Sequence, residues 1–511
     1  MADTKREIER KYEASPDTRL PDPGRVPGVS SVVDKGVVEL DAVYYDTADL
    51  RLAAASITLR HRTGGSDAGW HLKLPVAPGV RDEIAAPLSD TVPHNLAGLA
   101  RARTRDAELV PVVRLRSSRD IRHLLDAEGA LLAELSRDAV RAERLTKGGG
   151  TAAWDEIEVE LADGGDPSFL DAVEKKLRKA GLKPAASPSK LARALAETTP
   201  RGKRAPRQPA PPAGPGPETA GGQVLAYLRE QAEALLAYDP AVRRDLPDAV
   251  HQMRVATRRM RSAFKTFGKV VDRTVTDPIG EELKWLAAEL GVARDQEVLT
   301  ERLKSRIDAM PRTRLLGPVR GRLRLWSVAH GSGARRKAVA VLDSKRYLAL
   351  LESLDTLLGD PPLLKAAGGA AARVIPAAVI KDYDRLAGRI DHALELPPGE
   401  ARDMAMHDAR KAAKRARYAG EAATTALGKP AKKFTKRMKA VQTVLGDHQD
   451  SVVAREALRN LAIQAHAAGE SAFTWGLLYG QEEAAAAQRE AELPGVWAQA
   501  SAPELRADLS G

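Results

Sequence analysis

Glu7-Ile8-Glu9-Arg10-Lys11-Tyr12 is the stretch on which the fold of this chain turns. Read as a β-strand, its period of two puts Glu7, Glu9 and Lys11 on one face and Ile8 and Tyr12 on the other. Same-face neighbours lie roughly 7 Å apart along a strand, so two carboxylates and an ammonium in one line suit a site that holds a divalent cation beside a chain of anionic oxygens. That is the chemistry of phosphate compounds. A solvent-facing charged strand would show the same pattern, so the rest of the chain has to decide.

Further alternating segments follow at 40–45, 57–62, 70–74, 112–116, 131–135, 140–145 and 154–161, separated by turn signals such as Gly148-Gly149-Gly150. Helices are expected near 48–54, 117–126 and 167–180. Sequential strands joined by tight turns make a largely antiparallel sheet that could close into a barrel, with the helices covering its outer edges. Several strands carry charge at alternate positions: Arg60 and Arg62, Arg114 and Arg116, and Glu156, Glu158 and Glu160. If the apolar partners face outward onto the helices, both signs of charge line the interior. Such an interior cannot be dry, because an unpaired buried charge costs several kcal/mol. It would be a wet, ligand-filled channel; the other arrangement is an ordinary half-exposed sheet with its charges in water.

The clearest boundary is the basic, proline-rich run from Pro200 to Pro217, which reads as a semi-extended linker between residues 1–199 and 218–500. Beyond it Ala, Leu, Arg, Glu and Lys dominate, as in an all-α bundle. This half repeats itself. His251-Gln-Met-Arg254-Val-Ala-Thr-Arg258-Arg259-Met-Arg261 aligns with His407-Asp-Ala-Arg410-Lys-Ala-Ala-Lys414-Arg415-Ala-Arg417, and Leu290-Gly291 through Arg294-Asp295 aligns with Leu445-Gly446 through Gln449-Asp450. Two pairs at nearly one offset imply a duplicated helical subdomain with copies near 220–350 and 375–490. On a helix His251, Arg254, Arg258, Arg261 and Lys265 share a stripe, repeated by His407, Arg410, Lys414 and Arg417. Lys436 and Lys439 belong to a further basic helix face. Like charges at this spacing repel, and a bound polyanion would offset the repulsion.

With 511 residues the chain is too long for one core, and 43% apolar residues suffice for two or three. A net charge of +11 favours a polyanionic partner without saying which; nucleic acid, polyphosphate, a nucleotide and an anionic membrane all fit. The absence of cysteine excludes disulfides and thiolate metal sites and suits a reducing cytoplasm. No apolar run approaches ~18 residues. A protein that stays in the cytoplasm, with polyphosphate granules a compatible address, is expected.

Glu7-x-Glu9-x-Lys11, Tyr44-Tyr45-Asp46-Thr47, Leu59-Arg60-His61-Arg62, Trp70-His71-Leu72-Lys73-Leu74 and Glu156-Ile-Glu158-Val-Glu160-Leu161, in this order, resemble the CYTH domain of the triphosphate tunnel metalloenzymes over roughly residues 1–200. The resemblance implies an eight-stranded antiparallel tunnel that grips a triphosphate and binds Mg²⁺ or Mn²⁺. Carried onto this sequence, it makes Glu7, Glu9, Glu158 and Glu160 metal ligands and Lys11, Arg60, Arg62, Lys73, Arg116 and Arg119 phosphate clamps. Lys190 matches the lysine of a helix that plugs the tunnel; Glu83, Glu134 and Asp138 are weaker matches. The physical reading agrees: arginine forks neutralise non-bridging oxygens, and glutamates suit magnesium better than His or Cys would. A water activated by the metal and oriented by Glu158 or Glu160 would attack the terminal phosphorus.

The second half is similar to a CHAD domain over roughly residues 218–500, which implies two four-helix bundles related by a pseudo-two-fold and a basic cleft that binds polyphosphate. His251, Arg254, Arg258, Arg261, Lys265, Arg294, His407, Arg410, Lys414, Arg417, Lys436 and Lys439 are its candidate contacts. Gln449, standing where the first copy has Arg294, removes a guanidinium. The leading reading is a metal-dependent triphosphatase acting on inorganic tripolyphosphate or an organic triphosphate, tethered to a polyphosphate-binding module. An adenylate cyclase and a non-catalytic polyphosphate-binding or targeting protein are the alternatives. RNA ranks last, because aromatics make up only 4% of the chain and single-strand recognition relies on stacking.

Overall fold

The computed structural model describes residues 3–199, 215–331 and 333–510. The chain divides into two compact units, residues 1–210 and 211–511. Most of the proline-rich linker, residues 200–214, lies outside the described residues.

Strand β1 (Asp3–Ala14) keeps its sequence periodicity: Lys5, Glu7, Glu9 and Lys11 face the inside of a barrel, while Ile8 and Tyr12 join the apolar layer around it. With β2 (Ser31–Asp46), β3 (Thr58–Thr63), β4 (Gly69–Ala77), β5 (Val80–Ala86), β6 (Val110–Leu125), β7 (Leu131–Arg144) and β8 (Thr151–Leu161) it forms a closed antiparallel barrel in the order β1-β5-β4-β3-β2-β6-β7-β8. Closure depends on β1, which pairs with β5 over residues 3–8 and with β8 over residues 9–14.

Three expectations change. Residues 117–125 are not helix but continue β6; 131–135 and 140–145 are two parts of the single strand β7; and β5 had not been read as a strand. In β6 and β7 the inward face exchanges apolar for charged side chains midway, because it passes between a dry end of the barrel and a wet one, and β5 carries three charges in succession, Arg81-Asp82-Glu83. Alternation of hydrophobicity fades there although the pleat continues.

The apolar residues of the barrel lie on its outside. Helices α1 (Arg51–Ala54) and α2 (His94–Thr104) bring Leu52, Leu96 and Ala100 over Leu59, Leu72 and Ile84, and α3 (Ser168–Lys179) lays Leu170, Val173 and Leu177 over Tyr12, Ile157 and Val159. Each such Leu, Ile or Val contributes about 1.5–3 kcal/mol by leaving water. One end of the interior is dry as well: Val113, Leu115, Val140, Ala142 and Trp154 pack with Leu191 and Ala194 of α4 (Lys190–Glu197). Ser189 caps that helix, its hydroxyl accepting from the Ala192 N–H at 3.1 Å.

The second unit is helical: α5 (Ala220–Arg243), α6 (Ala249–Thr266), α7 (Arg273–Glu289), α8 (Gly291–Asp308), α9 (Val319–Gly331), α10 (Ala334–Leu342) and α11 (Lys345–Gly359), then α12 (Ala371–Glu395), α13 (Glu400–Ala422), α14 (Thr424–Leu427), α15 (Lys429–Ala467), α16 (Phe473–Ala500) and α17 (Pro503–Ser510). Consecutive packing runs through α5, α6 and α7 and again through α12, α13, α15 and α16. The motif-bearing helices α6 and α13 touch each other. Leu303 and Ile307 of α8 share a core with Leu458 and Leu461 of α15 and Trp475 of α16, so the two sets of helices are joined by a common apolar seam.

Candidate functional site

A cavity of about 810 Å³ opens inside the barrel, lined by nine Lys and Arg side chains and eight Asp and Glu. Glu7, Glu9, Lys11, Arg60, Arg62, Lys73, Arg119, Glu158, Glu160 and Lys190 all line it. Arg116 does not. It is exposed and lies 3.5 Å from Asp41, on the same outer face as the Arg114–Asp41 pair at 2.6 Å. Parity explains this: Arg119 faces inward, so a residue three positions earlier on the same strand faces outward.

The interior charges are paired. Glu158 receives Lys11 at 2.5 Å, Arg119 at 2.7 Å and Lys190 at 2.6 Å. Arg119 also grips Asp138 with two hydrogen bonds of 2.7 Å. Lys73 donates to both oxygens of Glu7 at 2.7 and 2.6 Å, Lys5 pairs with Glu160 at 2.6 Å, and Arg60 lies 3.6 Å from Glu83. His71 bridges Glu83 and the carbonyl oxygen of Asp67, the latter at 2.8 Å. Burial works against the charge of Glu158, yet Lys11, Lys190 and Arg119 hold its carboxyl well below the usual range. Burial pushes Glu7 up to about 7, helped by its hydrogen bond with Glu83. Arg62, buried beside Arg60, falls to about 9.

Glu7, Glu9, Glu158 and Glu160 are hard oxygen donors of the kind Mg²⁺ or Mn²⁺ takes. With nine cationic side chains against eight anionic, the cavity is close to neutral. A triphosphate bringing on the order of four negative charges would leave it strongly negative unless divalent cations entered with it. Donor set and charge balance therefore fit a metal–triphosphate pair. The tightest carboxylate group is a different one: oxygens of Asp138, Glu156 and Glu158 lie within 4.8 Å of one another. Lys190 Nζ stands among them at 2.9, 2.6 and 2.6 Å, so the cation of that trio is an ammonium. Its partners raise the Lys190 ammonium above its ordinary value against the opposing effect of burial.

Lys5, His71 and Glu156 were not among the expected site residues. Each stands two positions from one that was, and the strand period marks them: Lys5 precedes Glu7, His71 precedes Lys73, and Glu156 precedes Glu158.

In the helical unit a basic cleft of about 440 Å³ lies between α6, α12 and α13, lined by eight Lys and Arg against the single carboxylate Asp408. Arg258, Arg261, Lys265 and Lys414 contribute, joined by Arg385, Arg389, Lys411 and Arg415, which had not been expected. Among the described residues, Arg258, Arg261, Lys265 and Lys414 have no carboxylate within ion-pair distance. Burial, then Arg410 and Arg258, lower the Lys414 ammonium to about 7.

The other motif residues lie elsewhere. Arg254 is buried and fixed by Asp295 at 2.9 and 3.1 Å, and Arg410 faces the equivalent Asp450 at 3.7 Å. Arg294 pairs with Glu297 at 3.1 Å, and His407 Nδ1 meets Gln449 Oε1 at 2.5 Å. His251 is half-buried beside Asp248 and Arg258; Arg417 stacks on Tyr418 at 4.5 Å. Lys436 and Lys439 sit on the exposed face of α15 and are not among the side chains lining the cleft.

Comparison with known proteins gives two family matches, a CYTH domain at residues 5–195 and a CHAD domain at residues 226–459. Uncharacterized proteins from two strains of Mycobacterium tuberculosis are 40% identical over 502 residues, which is 94% of this chain and 94% of theirs. Similar solved structures include PptA from Streptomyces chartreusis, with 22% identity, TM-score 0.47, and coverage of 55% of this chain and 99% of that one. The CHAD domain from the plant Ricinus communis has 28% identity and TM-score 0.43, covering 59% of this chain and 98% of that one.

Proposed function

The chain belongs to the CYTH family in its first part and to the CHAD family in its second, and from this premise we propose that it is a metal-dependent triphosphatase tethered to a polyphosphate-binding module. The substrate is inorganic tripolyphosphate or an organic triphosphate. The observation that carries this reading is the near-neutral interior of the closed barrel, where nine Lys and Arg side chains and eight Asp and Glu line one cavity.

In the proposed reaction Arg60, Arg62, Arg119, Lys11 and Lys73 leave their carboxylate partners and turn to the phosphate oxygens, where guanidinium forks bind two oxygens at once. Glu7, Glu9, Glu158 and Glu160 are then free to hold Mg²⁺ or Mn²⁺. The metal supplies charge neutralisation on the phosphoryl oxygens and makes water a better nucleophile. Glu158 or Glu160 orients that water toward the terminal phosphorus. Lys190, held by three carboxylates, closes the inner end of the tunnel and keeps their charge matched during turnover. The cavity offers Tyr44, His71 and His123 as its only rings among the described lining residues, which argues against an adenine pocket and so against a cyclase.

The two helical copies, near 220–350 and 375–490, would bind a longer polyphosphate along Arg258, Arg261, Lys265 and Lys414. Four cations without carboxylate partners support this. Binding there would raise the local concentration of substrate without chemistry of its own. Phosphate release from tripolyphosphate, ATP and thiamine triphosphate, with Mg²⁺, with Mn²⁺ and with chelator, tests the proposal. Release that requires metal and disappears in Glu158→Gln supports it. Polyphosphate binding without any release would leave a binding protein in its place.

A further inference from the structure

Away from both the barrel and the basic cleft, His448 of α15 stands in a setting that polar side chains avoid. It is 0% exposed, and both ring nitrogens lack a hydrogen-bond partner. A buried donor or acceptor left unmade costs about 1–3 kcal/mol. Its Nε2 is turned toward Asp403 Oδ1 of α13 at 3.2 Å and Glu490 Oε1 of α16 at 3.4 Å, in directions that form no hydrogen bond with either. One ligand atom from each of the three residues lies within 4.8 Å of the other two.

We propose that Asp403, His448 and Glu490 form a divalent transition-metal site of the Zn²⁺ class, a centre separate from the tunnel. Ligands at about 2.0–2.2 Å from such an ion stand roughly 3 to 4 Å from one another; His448 Nε2 already lies 3.2 and 3.4 Å from the two carboxylate oxygens. One imidazole and two carboxylates are a borderline donor set that suits Zn²⁺, Mn²⁺ or Co²⁺ better than Mg²⁺. The surroundings fit as well. Arg455 donates to Asp403 Oδ2 at 2.6 Å and Arg402 to Glu490 Oε2 at 2.9 Å, so each guanidinium takes the outer oxygen and leaves the inner one facing His448. Outer hydrogen bonds of this kind orient ligating carboxylates. Beside the trio a cavity of about 690 Å³, lined by Arg402, Asp403, Arg455 and Glu490, offers an entry path and room for water as a fourth ligand.

The test uses the full chain, stripped with chelator and titrated with Co²⁺, whose visible d–d band gains intensity when the ion leaves its six waters for a four- or five-coordinate site. One equivalent should generate the band, Zn²⁺ should displace it, and Glu9→Gln and Glu158→Gln, which alter only the tunnel, should keep it. His448→Gln should abolish the band. Because His448 is wholly buried, Glu490→Gln provides a second, milder variant, expected to weaken Co²⁺ binding at least about tenfold. No band on adding Co²⁺ to the wild-type chain, or an unchanged band in folded His448→Gln or Glu490→Gln, would overturn the proposal.

Discussion

Lys414→Arg isolates one proton in polyphosphate binding. Burial, with Arg410 and Arg258 beside it, lowers the Lys414 ammonium from the ordinary 10.5 to about 7 in the free chain. A polyphosphate laid across the cleft would add negative charge and raise it again, so binding above pH 7 takes up a proton. Affinity should therefore be flat below about pH 7 and fall above it. The steepest possible slope is tenfold per pH unit, about 1.4 kcal/mol, which caps the loss between pH 7 and 8.5 at about thirtyfold. Arginine stays cationic throughout this range and removes the dependence. The assay is fluorescence anisotropy of an end-labelled polyphosphate at constant ionic strength, from pH 6.5 to 8.5. Comparing wild type with Lys414→Arg at each pH cancels the titration of the phosphate ends. The ratio of wild-type to variant Kd should be level at low pH and climb by about ten- to thirtyfold at pH 8.5. A ratio independent of pH would show that Lys414 takes up no proton on binding. The same group acts on stability: its folded value lies below its unfolded one, so the ligand-free chain should gain stability as pH rises from about 7 towards 10.5.

Four further outcomes follow from the geometry. Glu158→Gln should cut turnover by about a hundredfold or more while leaving polyphosphate affinity unchanged, and loss of both together would sink the modular picture. Lys190→Met leaves Asp138, Glu156 and Glu158 without their ammonium, a cost of about 3–5 kcal/mol in thermal unfolding that added Mn²⁺ should partly restore; an unchanged Tm would contradict this. At Gly291 a Cβ would lie 2.6 Å from the Arg254 guanidinium, whereas at the equivalent Gly446 the nearest atom is Arg410 Nε at 3.8 Å. Gly291→Ala should therefore destabilise by about 1–3 kcal/mol and Gly446→Ala should be neutral or stabilising, with equal urea midpoints the disproof. Glu7, raised by burial to about 7 from 4.5, resists ionisation in the fold; stability of the chelated chain should fall as pH rises between those values, and Glu7→Gln should flatten that segment of the curve.

The β1 strand was legible because its inner and outer faces differ in kind from end to end: Lys5, Glu7, Glu9 and Lys11 against Ile8 and Tyr12. The inside-out character of the barrel followed from the same alternation in Arg60 and Arg62 and in Glu156, Glu158 and Glu160. Where one face changes character midway the signal failed. On β6 the inner residues run Val113, Leu115, Ser117 and Arg119, from the dry plug to the wet cavity, so Arg114 and Arg116 gave the appearance of the charged face while facing outward to Asp41. Strand β5 was hidden by Arg81-Asp82-Glu83, three charges in succession; Arg81 and Glu83 face the cavity and Asp82 meets Arg6 at 2.7 Å on the other side. In the helical unit the repeat located α6 and α13, but helical spacing alone could not separate the arginines held by aspartates, Arg254 and Arg410, from the cationic side chains left open in the cleft. Arg385 and Arg389 come from α12, outside the repeated motif, and only packing brings them to the cleft.

The most direct measurement of catalysis in the tunnel is the rate of phosphate release from tripolyphosphate by the purified chain, with Mg²⁺ or Mn²⁺ and then with excess chelator. Metal-dependent release that chelator stops, and that falls in both Glu9→Gln and Arg119→Ala, is the expected result. Release insensitive to chelator, or none from a chain that still binds polyphosphate, would contradict it.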